Sequence, residues 1–149
     1  MESFCKQDVS IRISIDSRID QVHMVGYAVH GICSQLGLGD IIVYQIELAV
    51  VEAVNNAIKH AYGSVAGHSV EVVVSVNEKR IQFEICDEGK TLHFLKKKTG
   101  LDFDPHNKTS LPEGGMGLHI MEQVMDNVNY FVRDGRNCLI LCKSLAKKN

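Results

Sequence analysis

Residues 40–62 read DIIVYQIELAVVEAVNNAIKHAY, and this stretch decides the fold. Ile42, Ile46, Ala49, Ala53 and Ala57 recur at steps of three and four, which places them on one face of an α-helix. Asp40 stands where a helix cap is expected, and Gly63 follows Tyr62 as a stop, so a helix from about Asp40 to about Tyr62 is predicted. Glu52, Asn56 and His60 are spaced by four along its flank. At roughly 100° per residue they advance by about 40° per step and stack in a row beside the apolar stripe. Glu47, Asn55 and Lys59 fall farther round and are expected in solvent.

Working outward, Val9, Ile11, Ile13 and Ile15 alternate with polar residues as in a strand covered on one side. Ser17 is a cap candidate for a first helix from about Arg18 to about Leu36, ended by Gly37 and Gly39. Downstream, His68 to Val76 and Arg80 to Cys86 read as strands joined by Asn77-Glu78-Lys79, a hairpin length. From Asp87 to Gly115 no period survives, and a stretch of that length inside a compact domain suggests a binding loop or lid. Met116 to Met125 reads as a short amphipathic helix. Val128 to Val132 and Cys138 to Cys142 then pair around Asp134-Gly135-Arg136-Asn137, and residues 144–149 read as a frayed basic tail. Strands grouped apart from helices predict an α+β fold, a two-layer α/β sandwich with helices on one face of a mixed, mainly antiparallel sheet.

The chain has 149 residues, 45% of them apolar, which suits one domain spanning residues 1–149. A net charge of −2 supplies no basic field for nucleic acid. The first ten residues lack the apolar core of a signal peptide and no later run is read as transmembrane, so a cytoplasmic protein without membrane contact is expected. The five cysteines are odd in number and form no Cys-x-x-Cys, so the default reading is buried or idle thiols. The remaining histidines show no metal-ligand spacing.

Three features carry possible chemistry. A carboxylate such as Glu52 beside a core needs a partner or a cavity, although a solvent-reaching residue on the helix shoulder would satisfy the pattern equally. Asp87-Glu88-Gly89 follows an apolar strand directly. Asp87 either ends the strand or accepts a hydrogen bond from a ligand amine, with Gly89 allowing close approach. Gly114, Gly115 and Gly117 open the third helix, where free N–H groups favour phosphate, though a hinge would look the same.

Taken together, the order and spacing of these features resemble the ATP-binding site of the GHKL (Bergerat) type, and within it the anti-sigma-factor serine kinases. Residues 47–62 resemble the family's N box, Asp87-Glu88-Gly89 its first glycine box, and residues 111–121, LPEGGMGLHIM, its second. Phe103-Asp104-Pro105 and Met125-Asp126 favour the small anti-sigma kinases over histidine kinases, gyrase or Hsp90. The resemblance implies that Glu52 is the general base for a substrate serine and that Asn56 ligates Mg2+ bridging the phosphates of ATP. It further implies that Asp87 binds the adenine amine beside Gly89, and that His60, Gly114, Gly115, Gly117 and Leu118 complete the nucleotide site. The family's Gly-x-Thr in the last hairpin reads Gly135-Arg136-Asn137 here, which makes Asn137 the candidate for that hydrogen bond. The first helix offers His23 and His30 after Arg18 where the family often uses an arginine toward partners. The implied activity is phosphorylation of a serine-bearing antagonist protein and sequestration of a sigma factor by a homodimer. The competing readings are a nucleotide-dependent binding module without turnover and a stand-alone histidine-kinase-type ATPase domain.

Overall fold

The computed structural model describes residues 8–93 and 115–145. Five strands form one sheet: β1 (Val9–Asp16), β2 (Ser69–Val76), β3 (Arg80–Asp87), β4 (Asn127–Arg133) and β5 (Arg136–Ser144). Their order is β1-β2-β3-β5-β4 and every neighbouring pair is antiparallel, so the mixed alternative falls away. Among the described residues three helices, α1 (Val22–Cys33), α2 (Asp40–Asn56) and α3 (Gly115–Val124), form the second layer, with α2 packed between the other two. The predicted α+β sandwich is therefore the observed one.

The period-two pattern decides which sheet face meets the helices. Val70, Val72 and Val74 of β2, Ile81, Phe83 and Ile85 of β3, and Leu139 and Leu141 of β5 are all buried in one core. Register places Ile13 and Ile15 of β1 opposite Val72 and Val70 on that same face. From α2, Val43, Ile46, Ala49, Val50, Ala53 and Val54 meet them. Truncating a fully buried Phe83 to alanine removes about 3–5 kcal/mol from such a core. The opposite sheet face is polar, with Glu71 Oε1 bridging Arg12 at 3.2 Å and Arg136 at 2.6 Å.

Several local expectations are corrected. Ser17 does not cap a helix: its buried hydroxyl donates to the Val65 carbonyl at 2.6 Å and accepts from His68 N–H at 3.1 Å, tying two loops together. A short 3-10 turn (Ile19–Gln21) precedes α1, which ends at Cys33 rather than near Leu36. Gly39, at φ 84°, occupies the cap position of α2, and Asp40 is its first helical residue, where its charge suits the helix dipole. Arg136 and Asn137 belong to β5, because Asp134 and Gly135 alone make the turn, with φ values of 52° and 75°. Positive φ at both positions is the two-residue hairpin geometry that suits twisted strands.

The helix of the opening stretch runs as α-helix to Asn56 and then widens into a π-helical turn over Ala57–Ala61. It is 22 residues long from Asp40 to Ala61, and an 18-residue window within it has a mean hydropathy of 1.4, so in length and composition this segment does reach the membrane-spanning range. Half of that apolar window is buried inside the domain, as befits a core helix. Glu47 is not simply solvated either: its Oε2 lies 2.7 Å from His30 Nδ1 on α1. Burial, and secondarily the Glu47 charge, push the nearby Cys33 thiol up to about 11.

Candidate functional site

The row on α2 faces α3 and the end of the sheet. Glu52 is half-buried, and Gly117 on α3 sits against it so closely that a Cβ there would lie 2.8 Å from Glu52 Oε2. One helical turn on, Asn56 is 4% exposed and its amide nitrogen has no hydrogen-bond partner among the described residues. An unsatisfied buried donor costs about 1–3 kcal/mol, which makes this amide a candidate contact for a ligand. His60 follows on the π-helical turn and is half-buried. π-turns within helices are frequent at functional sites, and this one starts at the residue after Asn56.

The second part of the site lies where β3 ends. Asp87 and Asn137 are opposed in the β3–β5 register, and both are buried. Asn137 Nδ2 donates to Asp87 Oδ1 at 2.8 Å and to the Gly89 carbonyl at 2.9 Å, while Gly89 N–H donates to Asp87 Oδ1 at 2.9 Å. Thr91 completes the chain by donating from Oγ1 to Asn137 Oδ1 at 3.1 Å. Burial raises the Asp87 carboxyl above its ordinary range, against the lowering effect first of the Asn137 bond and then of the Gly89 and Arg136 contributions. One carboxylate oxygen is thus committed to holding the loop, and the Asn137 amide hydrogens are both used internally.

This arrangement changes the meaning of two residues. Gly89 is required by packing: a Cβ would sit 2.5 Å from the Ala61 carbonyl oxygen, whose lone pair also takes the Lys90 N–H at 2.8 Å. That contact joins the first glycine box to the end of α2, whereas Gly89 had been expected to make room for a ligand. Asn137 touches Asp87 directly, so it orients the carboxylate.

The structure brings Gly117 against Glu52 and joins Asp87, Gly89 and Asn137 by hydrogen bonds, and the packing of Gly89 on Ala61 links this second group to the helical segment that carries Asn56; Leu118 on α3 is buried. Gly115 is the first residue of α3. Gly114, like Phe103-Asp104-Pro105 and the rest of the expected lid, lies outside the described residues. Sequence reasoning missed Thr91 and Tyr62. The Tyr62 hydroxyl accepts the Glu88 N–H at 2.7 Å and donates to the Ser69 carbonyl at 2.7 Å, bracing the turn after Asp87. No periodicity could have signalled either, since both depend on where the π-turn and the β3–β5 register bring the chain.

Residues 15–143 match the profile of the histidine kinase-like ATPase domain. Serine-protein kinase RsbW of Bacillus licheniformis is 31% identical over 127 residues, covering 84% of this chain and 79% of that protein. The chain belongs to the RsbW serine-protein kinases, within the histidine kinase-like ATPase family. RsbW of Bacillus subtilis strain 168 is likewise 31% identical over 120 residues, covering 79% and 75% of the two chains. A crystal structure of the RsbU and RsbW domains of a Mycobacterium tuberculosis protein superposes with a TM-score of 0.63. It covers 91% of this chain and 32% of that one at 16% identity, and so speaks to the fold alone. The family and sandwich expected from the three motifs are therefore the ones found.

Proposed function

We propose that this RsbW-type chain is an anti-sigma factor and ATP-dependent serine-protein kinase, which phosphorylates an antagonist protein and sequesters a sigma factor. The observation that carries the reading is the buried amide of Asn56, without a partner among the described residues and one turn from Glu52, which Gly117 of α3 packs against. Phosphoryl transfer asks for little covalent chemistry from a protein beyond positioning and neutralising charge, and this site supplies such groups.

In this reading the adenine amine donates to the free edge of Asp87, whose orientation Asn137 and Gly89 fix. The phosphates run toward α3, where backbone N–H groups at the helix start favour anions. Asn56 offers its amide to them, as a donor to a phosphate oxygen or, turned over, as an oxygen ligand to Mg2+. Asn56 would be the residue that holds the metal, whose chemistry there would be to offset the charge of the phosphates. The substrate serine oxygen attacks the γ-phosphorus in line, ADP leaves, and Glu52 accepts the serine proton. His60, Gly115 and Leu118 complete the nucleotide site in this reading, to which Gly114, outside the described residues, is assigned by its motif alone.

Partners would meet the exposed α1–α2 surface, where Met24, Tyr27, Ile41 and Tyr44 are large apolar side chains in solvent. Exposed apolar groups gathered on neighbouring helices are what a docking surface requires. A homodimer working in the cytoplasm fits this reading. The test is transfer of labelled γ-phosphate to the antagonist by wild type and by Glu52→Ala. Transfer should be lost in the variant while its nucleotide affinity stays within about threefold of wild type. Normal phosphorylation by Glu52→Ala would overturn the assignment of the base.

A further inference from the structure

Another cluster lies on the sheet face away from the helices. Cys86 on β3 and Cys138 on β5 are directly opposed, and their sulfurs are 2.7 Å apart. Both are free thiols and both are buried. Residues opposed on antiparallel strands have Cα atoms about 4.5–5.5 Å apart, within the ~4.4–6.8 Å that a disulfide spans. The bond can therefore form without moving either strand.

Arg136, two residues before Cys138 on the same face, bonds Glu71 at 2.6 Å and lies close enough to both sulfurs to interact electrostatically with them. Glu84 completes a trio with the thiols, their ligand atoms within 4.8 Å of one another. A metal there would have to bind against the Arg136 charge, so the cation already in place favours thiol chemistry over metal binding. Among the described residues, Arg136 and Glu71, with 41% and 25% of their side chains exposed, lie over this corner as movable side chains. The strand step after the thiols carries Asp87 opposite Asn137, on the helix side of the sheet.

We infer that Cys86 and Cys138 form a reversible thiol–disulfide site, oxidised by hydrogen peroxide or another hydroperoxide, whose closure alters nucleotide binding through the adjoining Asp87–Asn137 pair. Burial first, then the neighbouring sulfur, push the Cys86 thiol well above its ordinary range, so Cys86 keeps its proton. The Cys138 sulfur attacks the peroxide oxygen, the O–O bond breaks, and Arg136 stabilises the anionic sulfur as its proton passes to the departing oxygen. A sulfenic acid and one water result. The Cys86 sulfur then attacks that sulfenic sulfur, and the hydroxyl leaves with the Cys86 proton as a second water. Two thiols and one peroxide give one disulfide and two waters, and an added dithiol reverses the bond.

The nucleotide coupling rests on the assignment of Asp87 to the base. The test treats the whole chain with hydrogen peroxide, maps its peptides without reduction, and measures the Kd of a fluorescent ADP analogue before and after. A Cys86–Cys138 link that dithiothreitol removes is expected, with a Kd change of at least about threefold. In Cys86→Ser, dimedone should label Cys138; in Cys138→Ser, peroxide should leave Kd unchanged. Thiols that stay free, or that link to Cys33 or Cys142 instead, overturn the site. A correct link with unchanged Kd overturns the coupling. Reduced protein that binds no nucleotide defeats the ATP reading and leaves the link map standing.

Discussion

Alanine at Gly89 and alanine at Gly117 should fail in opposite ways. At Gly89 the new Cβ would lie 2.5 Å from the oxygen and 2.7 Å from the carbon of the Ala61 carbonyl, with Tyr62 Cδ1 at 2.9 Å. Ordinary contact begins near 3.4 Å, so backbone at the end of α2 must retreat by about 0.9 Å. Overpacking of this kind costs about 1–3 kcal/mol, and weakening the Lys90–Ala61 hydrogen bond adds about 1 kcal/mol. For a domain of this size, a loss of about 2–4 kcal/mol lowers Tm by roughly 5–15 °C. At Gly117 the Cβ would meet Glu52 Oε2 at 2.8 Å, the tip of a side chain that can swing away. Alanine also suits a helix by about 0.5–1 kcal/mol over glycine, so Tm should hold or rise slightly. The displaced carboxylate should instead cost about 10- to 100-fold in phosphate transfer, the scale of a 1 Å misplacement. Calorimetry and a phosphotransfer assay on both variants separate the two outcomes. Equal losses of Tm, or normal transfer by Gly117→Ala, would refute the account of how α2 and α3 meet.

Adding ADP and Mg2+ should raise the melting temperature by mass action, and Asp87→Asn should erase most of that rise; an unchanged rise in the variant would clear Asp87 of base recognition. The folded-state pKa of Asp87 is raised, so the protonated form is the favoured one and stability falls as pH climbs from the ordinary carboxylate range through the raised value. Apo Asp87→Asn should accordingly melt no lower than wild type at neutral pH, with any advantage shrinking on acidification, as pH-dependent denaturant titrations will show. Ser17→Ala removes the buried hydroxyl that joins the Val65 carbonyl to the His68 N–H through two part-buried hydrogen bonds and should cost about 1–2 kcal/mol in urea melts; a loss under 0.5 kcal/mol would mean water replaces the hydroxyl.

Much of the sandwich was legible because local patterns agree with the tertiary result. Alternating valines in residues 70–74 and the three-and-four spacing on α2 each show which side is covered, and that side is the core. Caps were less legible, since Ser17 and Asp40 have the right chemistry for a cap, but Ser17 is claimed by a loop 48 residues away and Asp40 begins one position too late. The row of Glu52, Asn56 and His60 could be placed from helical geometry alone. The Asp87–Asn137 bond could not, because it needs the register of two strands 50 residues apart, and the Cys86–Cys138 contact is hidden for the same reason. The π-turn escaped as well: residues 57–61 have ordinary helical composition, and only the docking of Gly89 on Ala61 shows what its wider turn accommodates.

The place of β5 between β3 and β4 has a consequence for how the protein is born. As the chain leaves the ribosome, β1, β2 and β3 can pair in turn, each with the strand made just before it. The outer edge of β3 must then wait for β5, which is synthesised after β4 although it sits inside it. Asn137 follows Asp87 by 50 residues, which at roughly 5–20 residues per second is an interval of about 3–10 seconds. Throughout that interval a hydrophobic strand offers an unpaired edge, the surface that nascent-chain chaperones and misdirected neighbours both recognise. In the proposed reading of Asp87, nucleotide can play no part in guarding it, because that carboxylate gains its Asn137 partner only when the edge closes.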